Sequence, residues 1–429
     1  MNLYIKKYSF AILRTILLSL IAYLALVLVY CIPTEGTMEK NMRESVSILE
    51  DEGDYPILMN FNNSKLDNYA DSIMLLIASH TDNNSPFISS LTNTRSNIKD
   101  LSPSETLVSL YKDNCIKSSI YESNYQRYWH GYLLLLKPLL YFFDYGTIRS
   151  IIASIQTLLF VLVVYNLRDE RFLVMPFAIV YLFWNPVSIS LSLEYSCVSI
   201  ITLIGSIIII KYRDRLSFND IEKVFLLMGA LTSYFDLLTY PIVSLGIPLI
   251  LYISLKYHDK YDNKFKDIIF ISIMWSIGYA VMWSMKWVIA SLLTNENTIL
   301  DAINTIMIRT SNDCEGLLIN YLDVLFVDLG SSLQFGWLAL VVVSVFVLIT
   351  LVVKKQNIFK KYLLQLFFIG LYPFIWAYVL KNHSYWHCFF VYRIFSISVF
   401  AFAVYVSLLK KDYVDKMLKE DSGYGKNRY

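Results

Sequence analysis

Charge is what this chain has least of. Only 17% of its 429 residues are Asp, Glu, Lys or Arg, while 56% are hydrophobic, and the mean hydropathy is +0.48. A soluble protein of this length needs more charge than that to coat its surface. The five cysteines form no CxxC and no Cys/His spacing, which excludes a zinc-ribbon or thioredoxin-type site. Cys31, Cys197 and Cys388 lie in apolar runs, where Cys behaves as a small hydrophobe. That leaves Cys115 and Cys314, in the two long polar loops, as the one pair that could form a disulfide. There is no P-loop, no G-x-S-x-G and no HExxH, and no basic stripe of the kind that binds nucleic acid. No internal repeat is present. The first apolar run follows Lys6, Lys7 and Arg14 but is longer than a signal-peptide core and lacks an A-x-A site, so it reads as a retained helix.

What is abundant is long apolar runs. Stretches near 20 residues predict transmembrane helices. Ten are expected: 9–32, 147–166, 172–184, 191–210, 221–234, 238–255, 268–292, 334–353, 362–380 and 388–409. The fold class is therefore an all-α polytopic membrane protein in a single integral domain, 1–429. The short links rich in Lys and Arg, 167–171, 211–220, 256–267, 354–361 and the tail, all fall on one side if the spans alternate. The short links on the other side carry only Lys381. This positive-inside asymmetry predicts cytoplasmic termini and places the two long loops, 33–146 and 293–332, outside a cell membrane. Within 33–146, Met38 to Glu50 reads as an amphipathic helix, and the rest as irregular structure with short helices. Leu133 to Phe143, too short to span, reads as a surface helix with Lys137 snorkelling to the interface.

The membrane charges then collect at one level. Arg149, Glu194, Lys286 and Arg393 lie near the outer ends of their spans, and Asp236, His383 and His387 lie in outer links. A charge within a span costs at least about 2.5–3.5 kcal/mol unless paired or wet, so this grouping predicts a polar cavity opening outward. In a transporter such groups collect at mid-depth instead. Asp67 and Asp71 are four apart, and Asp67 before Asn68 predicts an N-cap, putting both carboxylates at one helix start. Such a carboxylate suits a general base; it equally suits an ordinary capped helix. Arg127 and His130, inside Tyr125-Gln126-Arg127-Tyr128-Trp129-His130-Gly131-Tyr132, suit phosphate recognition with aromatic stacking, or simply an interfacial aromatic belt. Arg309, in the second loop, is a candidate mobile phosphate contact. His383, His387 and Arg393 repeat the cationic theme, and Glu194 and Asp236 are expected to neutralise Arg149 or Arg393. The spacing of the histidines names no metal, and no cofactor is expected.

In the order of these features the chain resembles the GT-C superfamily of polytopic glycosyltransferases, and within it the bacterial aminoarabinose and protein mannosyl transferases. The likeness rests on Asp67-Asn68-Tyr69-Ala70-Asp71 in the first outer loop, and on the run from His130-Gly131-Tyr132-Leu133 through Arg149 to Asn166-Leu167-Arg168. It covers roughly residues 1–215, the remainder matching in topology alone. The resemblance implies inverting transfer of a sugar from a polyprenyl-phosphate donor to a hydroxyl on a glycan or lipid acceptor. In that scheme Asp67 leads as base, Asp71 follows, and Arg127, His130, Arg149, Arg309, His383, His387 and Arg393 hold the donor phosphate. Glu194, Asp236 and Lys286 support them. The chain departs from the family in the roughly 35 residues before Asp67 and in lacking a paired Asp-Glu, which leaves Glu35 and Asp54 as rival bases. Two other functions fit the same features: a surface-polysaccharide polymerase or ligase using a polyprenyl-diphosphate donor, and a non-enzymatic transporter of lipid-linked glycans.

Overall fold

The computed structural model describes residues 2–82, 84–112, 119–256, 264–332 and 363–408. The expected span at 334–353, the basic link after it, and Cys115 of the proposed disulfide lie outside them. The described residues are 76% helical, and their sheet consists of two short antiparallel ribbons.

Among the described residues, five helices are long and apolar enough to cross a membrane: Tyr4–Tyr30, Tyr145–Asn166, Leu193–Tyr212, Phe265–Leu293 and Cys388–Leu408. They include the bulk of α1 (Asn2–Tyr30), α7 (Tyr145–Asn166), α10 (Leu193–Tyr212) and α13 (Lys264–Leu293). Leu24 and Leu28 of α1 and Leu158, Val161 and Tyr165 of α7 are exposed, an outward apolar face that lipid would cover. Other expected spans are shorter. Between α7 and α10 lie α8 (Arg171–Phe183) and α9 (Pro186–Leu191); α11 (Phe218–Phe235) and α12 (Val243–Leu255) follow α10. Thirteen residues, the length of α8 and of α12, cover about 20 Å, less than the roughly 30 Å of a hydrocarbon core. The expected helix at 362–380 is broken into Leu363–Gly370 and Tyr372–Val379, with Pro373 at the start of the second piece.

The helices meet where small residues allow it. A Cβ at Gly229 of α11 would lie 2.1 Å from the Trp275 carbonyl oxygen, and one at Gly278 of α13 would lie 2.1 Å from that of Leu226. Backbone against backbone is how helices associate where lipid removes the hydrophobic drive. Polar side chains link the rest: Gln156 of α7 donates to the Ile189 carbonyl at 2.7 Å and accepts from Ser199 of α10 at 3.0 Å.

The stretch from 33 to 146 is more regular than its composition suggests. It folds into α2 (Thr37–Glu52), α3 (Asn68–Ser79), α4 (Pro86–Thr92), α5 (Pro103–Tyr111) and α6 (Leu133–Phe142). A ribbon of β1 (Arg95–Ile98) and β2 (Ile120–Ser123) joins them, with Arg95 opposite Ser123. The helix expected at Met38 to Glu50 is α2, which buries Met38, Met42, Val46 and Leu49 in a core shared with α1, α3 and α6. A second core joins α7 to α12 and the residues up to 408. Lys137 of α6 departs from expectation. Instead of snorkelling it is buried, its Nζ donating to the Ala78 carbonyl at 2.9 Å and sitting 4.9 Å from the Tyr30 ring. An ammonium there satisfies a carbonyl left free at the C-terminal end of α3.

Candidate active site

Asp67 begins the site. It N-caps α3, accepting from the Ala70 amide at 2.9 Å, the local geometry its sequence predicts. It is buried, 4% exposed, and lies within the electrostatic influence of Glu194, at the start of α10. Burial pushes the Asp67 carboxyl well above the usual carboxylate range, with the charge of Asp71 adding to it; the Ala70 amide, Glu194 and Lys65 oppose this.

Asp71 sits one turn on and has a different task. Its Oδ1 accepts from Ser192 Oγ at 3.2 Å and the Glu194 amide at 3.0 Å; its Oδ2 accepts from Tyr145 Oη at 2.6 Å and the Leu193 amide at 2.8 Å. This carboxylate caps α10 from another helix, and each oxygen is already saturated with donors. Burial pushes its carboxyl upward, but the donors around it are arranged for the charged form. Both of its oxygens are thus engaged inside the fold, which sets Asp71 apart from Asp67 as a candidate base.

Several expected phosphate ligands are likewise engaged inside the fold. Arg149 pairs with Glu52 at 2.9 Å, donates to Asn68 Oδ1 at 2.8 Å and stacks on Tyr145 at 4.2 Å. Its neutralising partner is therefore Glu52, and neither Glu194 nor Asp236. Arg393 is fully buried, donating to the Trp184 carbonyl at 2.8 Å and Ser188 Oγ at 2.6 Å, with the Tyr195 ring 4.6 Å away. It satisfies a carbonyl at the end of α8 and cannot reach a ligand phosphate without unpacking. His130 accepts at Nδ1 from the Tyr132 hydroxyl and donates from Nε2 to the Tyr125 carbonyl, both at 2.8 Å, which fixes a neutral ring. Burial, with Lys286 nearby, pushes it down to about 3. Lys286 donates to the carbonyls of Ser90 and Leu91 and to Asn93 Oδ1, at 2.8–3.1 Å, closing the C-terminal end of α4. Asp236 folds the turn after α11 by accepting from the amides of Leu238 and Thr239, and burial pushes it up to about 7. His383 donates to the Leu238 carbonyl at 2.7 Å and is held neutral, pushed down to about 3.

What remains available is cationic. Lys65, which the sequence reading passed over, lies beside Asp67 and holds its ammonium 4.7 Å from the Tyr55 ring and 4.3 Å from Phe389. His387 lies in the field of Lys65 and contacts Arg309 through Nε2 at 2.8 Å. The Arg309 guanidinium can only donate, so His387 Nε2 is the acceptor and the ring is neutral. Arg127 pairs with Asp301 at 3.0 Å and stacks over Tyr125 at 4.8 Å. Arg127 and Arg309 both line a hollow of about 270 Å³ walled by Tyr128, Tyr279, Trp283, Trp287 and Trp376. α14 (Thr298–Thr310), which carries Arg309, forms one side of it. Tyr125 lies under the Arg127 guanidinium, 4.8 Å from it, and meets Tyr128 edge-on.

The structure thus brings Lys65 against Phe389 and His387 against Arg309, and Arg309 shares an aromatic hollow with Arg127. The arrangement offers a buried carboxyl at Asp67 and an apolar, aromatic recess carrying two guanidinium groups, Arg127 and Arg309. Among the described residues no group of three His, Cys, Asp or Glu side chains is placed to hold a metal. Asp67 and Arg309 were candidates in the sequence, whereas the contacts of Lys65 with Phe389 and of Arg309 with His387 join segments far apart in the chain. No protein family, curated protein or solved structure matches this chain.

Proposed function

We propose that this chain is a GT-C-type membrane glycosyltransferase, moving a sugar with inversion from a polyprenyl-phosphate donor to a hydroxyl on a glycan or lipid acceptor, at the outer face of a cell membrane. The observations that support this reading are the buried Asp67 carboxyl capping α3 and, elsewhere among the same outer segments, an aromatic hollow of about 270 Å³ bearing Arg127 and Arg309. Asp67 takes the proton of the acceptor hydroxyl as that oxygen attacks the anomeric carbon. The bond from that carbon to the phosphate oxygen breaks, and polyprenyl phosphate leaves with one added negative charge. Lys65 and Arg309 stabilise that charge, which is greatest as the bond breaks. The Trp and Tyr walls of the hollow pack the first units of the polyprenyl chain. The remaining apolar helices, including the shorter ones, complete a bundle of about ten spans with cytoplasmic termini.

The test is transfer by the purified chain in lipid nanodiscs, given a polyprenyl-phosphate sugar and membrane acceptors. Wild type releases free polyprenyl monophosphate and Asp67→Asn releases none. Full activity in Asp67→Asn, release of a diphosphate, or movement of the intact donor across vesicles with no covalent product each sinks the proposal. The last two outcomes would instead support a ligase and a transporter.

A further inference from the structure

α14 is tied down at both ends. It follows α13 after four residues, 294–297, and the Ile299 amide donates to Ser291 Oγ at 3.2 Å, which folds its start back against the last turn of α13. At its far end Arg309 donates to His387 Nε2 at 2.8 Å, and His387 stands directly before the candidate span Cys388–Leu408. A helix of 13 residues, about 20 Å long, thus runs between the ends of two apolar helices. Trp283 and Trp287, within about three turns of the α13 end, mark the same level, since Trp collects where a membrane meets water.

The two sides of α14 differ. Ala302, Thr305, Ile306 and Arg309, spaced three and four apart, line the aromatic hollow. Leu300, Ile303 and Met307 share another side and are 53%, 46% and 60% exposed. The charged residues of α14 lie off that side: Asp301 pairs with Arg127, and Arg309 meets His387. The end of α13 beside it carries apolar exposure too, at Leu292 and Leu293. An uncharged apolar face, continuous with the lipid-facing end of a span, is what a helix lying in a membrane interface presents.

We propose that α14 is an interfacial helix: its Leu300, Ile303 and Met307 face lies in the outer leaflet of the bilayer and its other face walls the hollow, so that a lipid-borne ligand passes into the hollow sideways from that leaflet. The proposal deepens the glycosyltransferase reading and rests on it for the identity of the lipid. The polyprenyl chain of the donor stays in lipid until its phosphate reaches Arg309, and only its first units leave the leaflet for the Trp and Tyr walls.

Photo-crosslinking and kinetics on the full chain in phospholipid nanodiscs test this. With benzoylphenylalanine in place of Met307, illumination should add the mass of a phospholipid to the chain; in place of Asp301 it should add none. No lipid adduct at 307, equal adducts at both positions, or a crosslink from 307 to a second copy of the chain overturns the proposal, and the last would make this face a dimer interface. In the transfer assay, Met307→Glu puts a charge on the lipid-facing side and should raise KM severalfold for a full-length polyprenyl donor without changing kcat. Both constants should stay as in wild type for a short-chain, water-soluble donor, and Met307→Leu should match wild type with either. Equal loss with both donors, or no loss with either, refutes the sideways entry. If the wild-type chain transfers no sugar, the functional reading fails while the lipid adduct still decides where α14 lies.

Discussion

Substitution of Asp71 separates the two acids that the sequence treats as near equals. In Asp71→Asn an amide nitrogen replaces one oxygen. Each oxygen of Asp71 serves one hydroxyl and one backbone amide: Ser192 and Glu194 at Oδ1, Tyr145 and Leu193 at Oδ2. Whichever way the Asn is turned, the hydroxyl on its nitrogen side can rotate and accept. The backbone amide on that side cannot, and is left buried without a partner. An orphaned buried amide costs about 1–3 kcal/mol, and the surviving bonds lose their charge assistance, so a destabilisation of roughly 3 kcal/mol is expected. Asp71→Leu orphans both amides and should approach twice that. Asp67→Asn is the control, because Asn is as good an N-cap as Asp and costs only a few tenths of a kcal/mol. The assay is thermal unfolding of the detergent-solubilised chain followed by loss of monodispersity, alongside transfer activity. Asp71→Asn should melt well below wild type, while Asp67→Asn should melt with wild type and be inactive. Equal melting of Asp71→Asn and wild type would refute the account of Asp71 as the cap of α10.

Helix contacts give another expectation. Gly278→Ala places a methyl 2.1 Å from the Leu226 carbonyl oxygen and forces α11 from α13, at a cost of about 1–3 kcal/mol or more. Gly370→Ala meets nothing nearer than 3.6 Å and should be tolerated, so equal melting of the two variants would contradict the packing described. The pH dependence of stability should show two opposed contributions. His130, pushed down to about 3, is neutral when folded, so the unfolded chain binds more protons below about pH 6.5 and acidification destabilises by roughly 1.4 kcal/mol per unit. Asp236, pushed up to about 7, contributes stability that is present in acid and is lost as pH rises toward 7. Over pH 7 to 5 the two offset each other. Asp236→Asn should therefore steepen the loss in acid and His130→Gln should flatten it; melting curves with unchanged slopes in both variants would refute these assignments.

The pattern of residues along the chain was enough to determine that it is mostly helical, with helices long and apolar enough to cross a membrane. Apolar runs such as 147–166 and 268–292 have no alternative to a helix in lipid, where every backbone amide must bond within its own segment. It also determined the cap at Asp67 and the amphipathic α2, because both are set by neighbours within a turn or two. The use made of each charge was decided only by tertiary structure. Arg393, Arg149 and Lys286 look alike in sequence to a ligand-binding cation, and all three close helix ends or ion pairs inside the fold. Asp67 and Asp71 share a helix turn, yet one caps its own helix and the other the start of α10. A charge takes its role from whichever donors and acceptors the fold brings within about 3 Å of it. Those partners, at separations such as 123 residues between Asp71 and Glu194, are not written in local spacing.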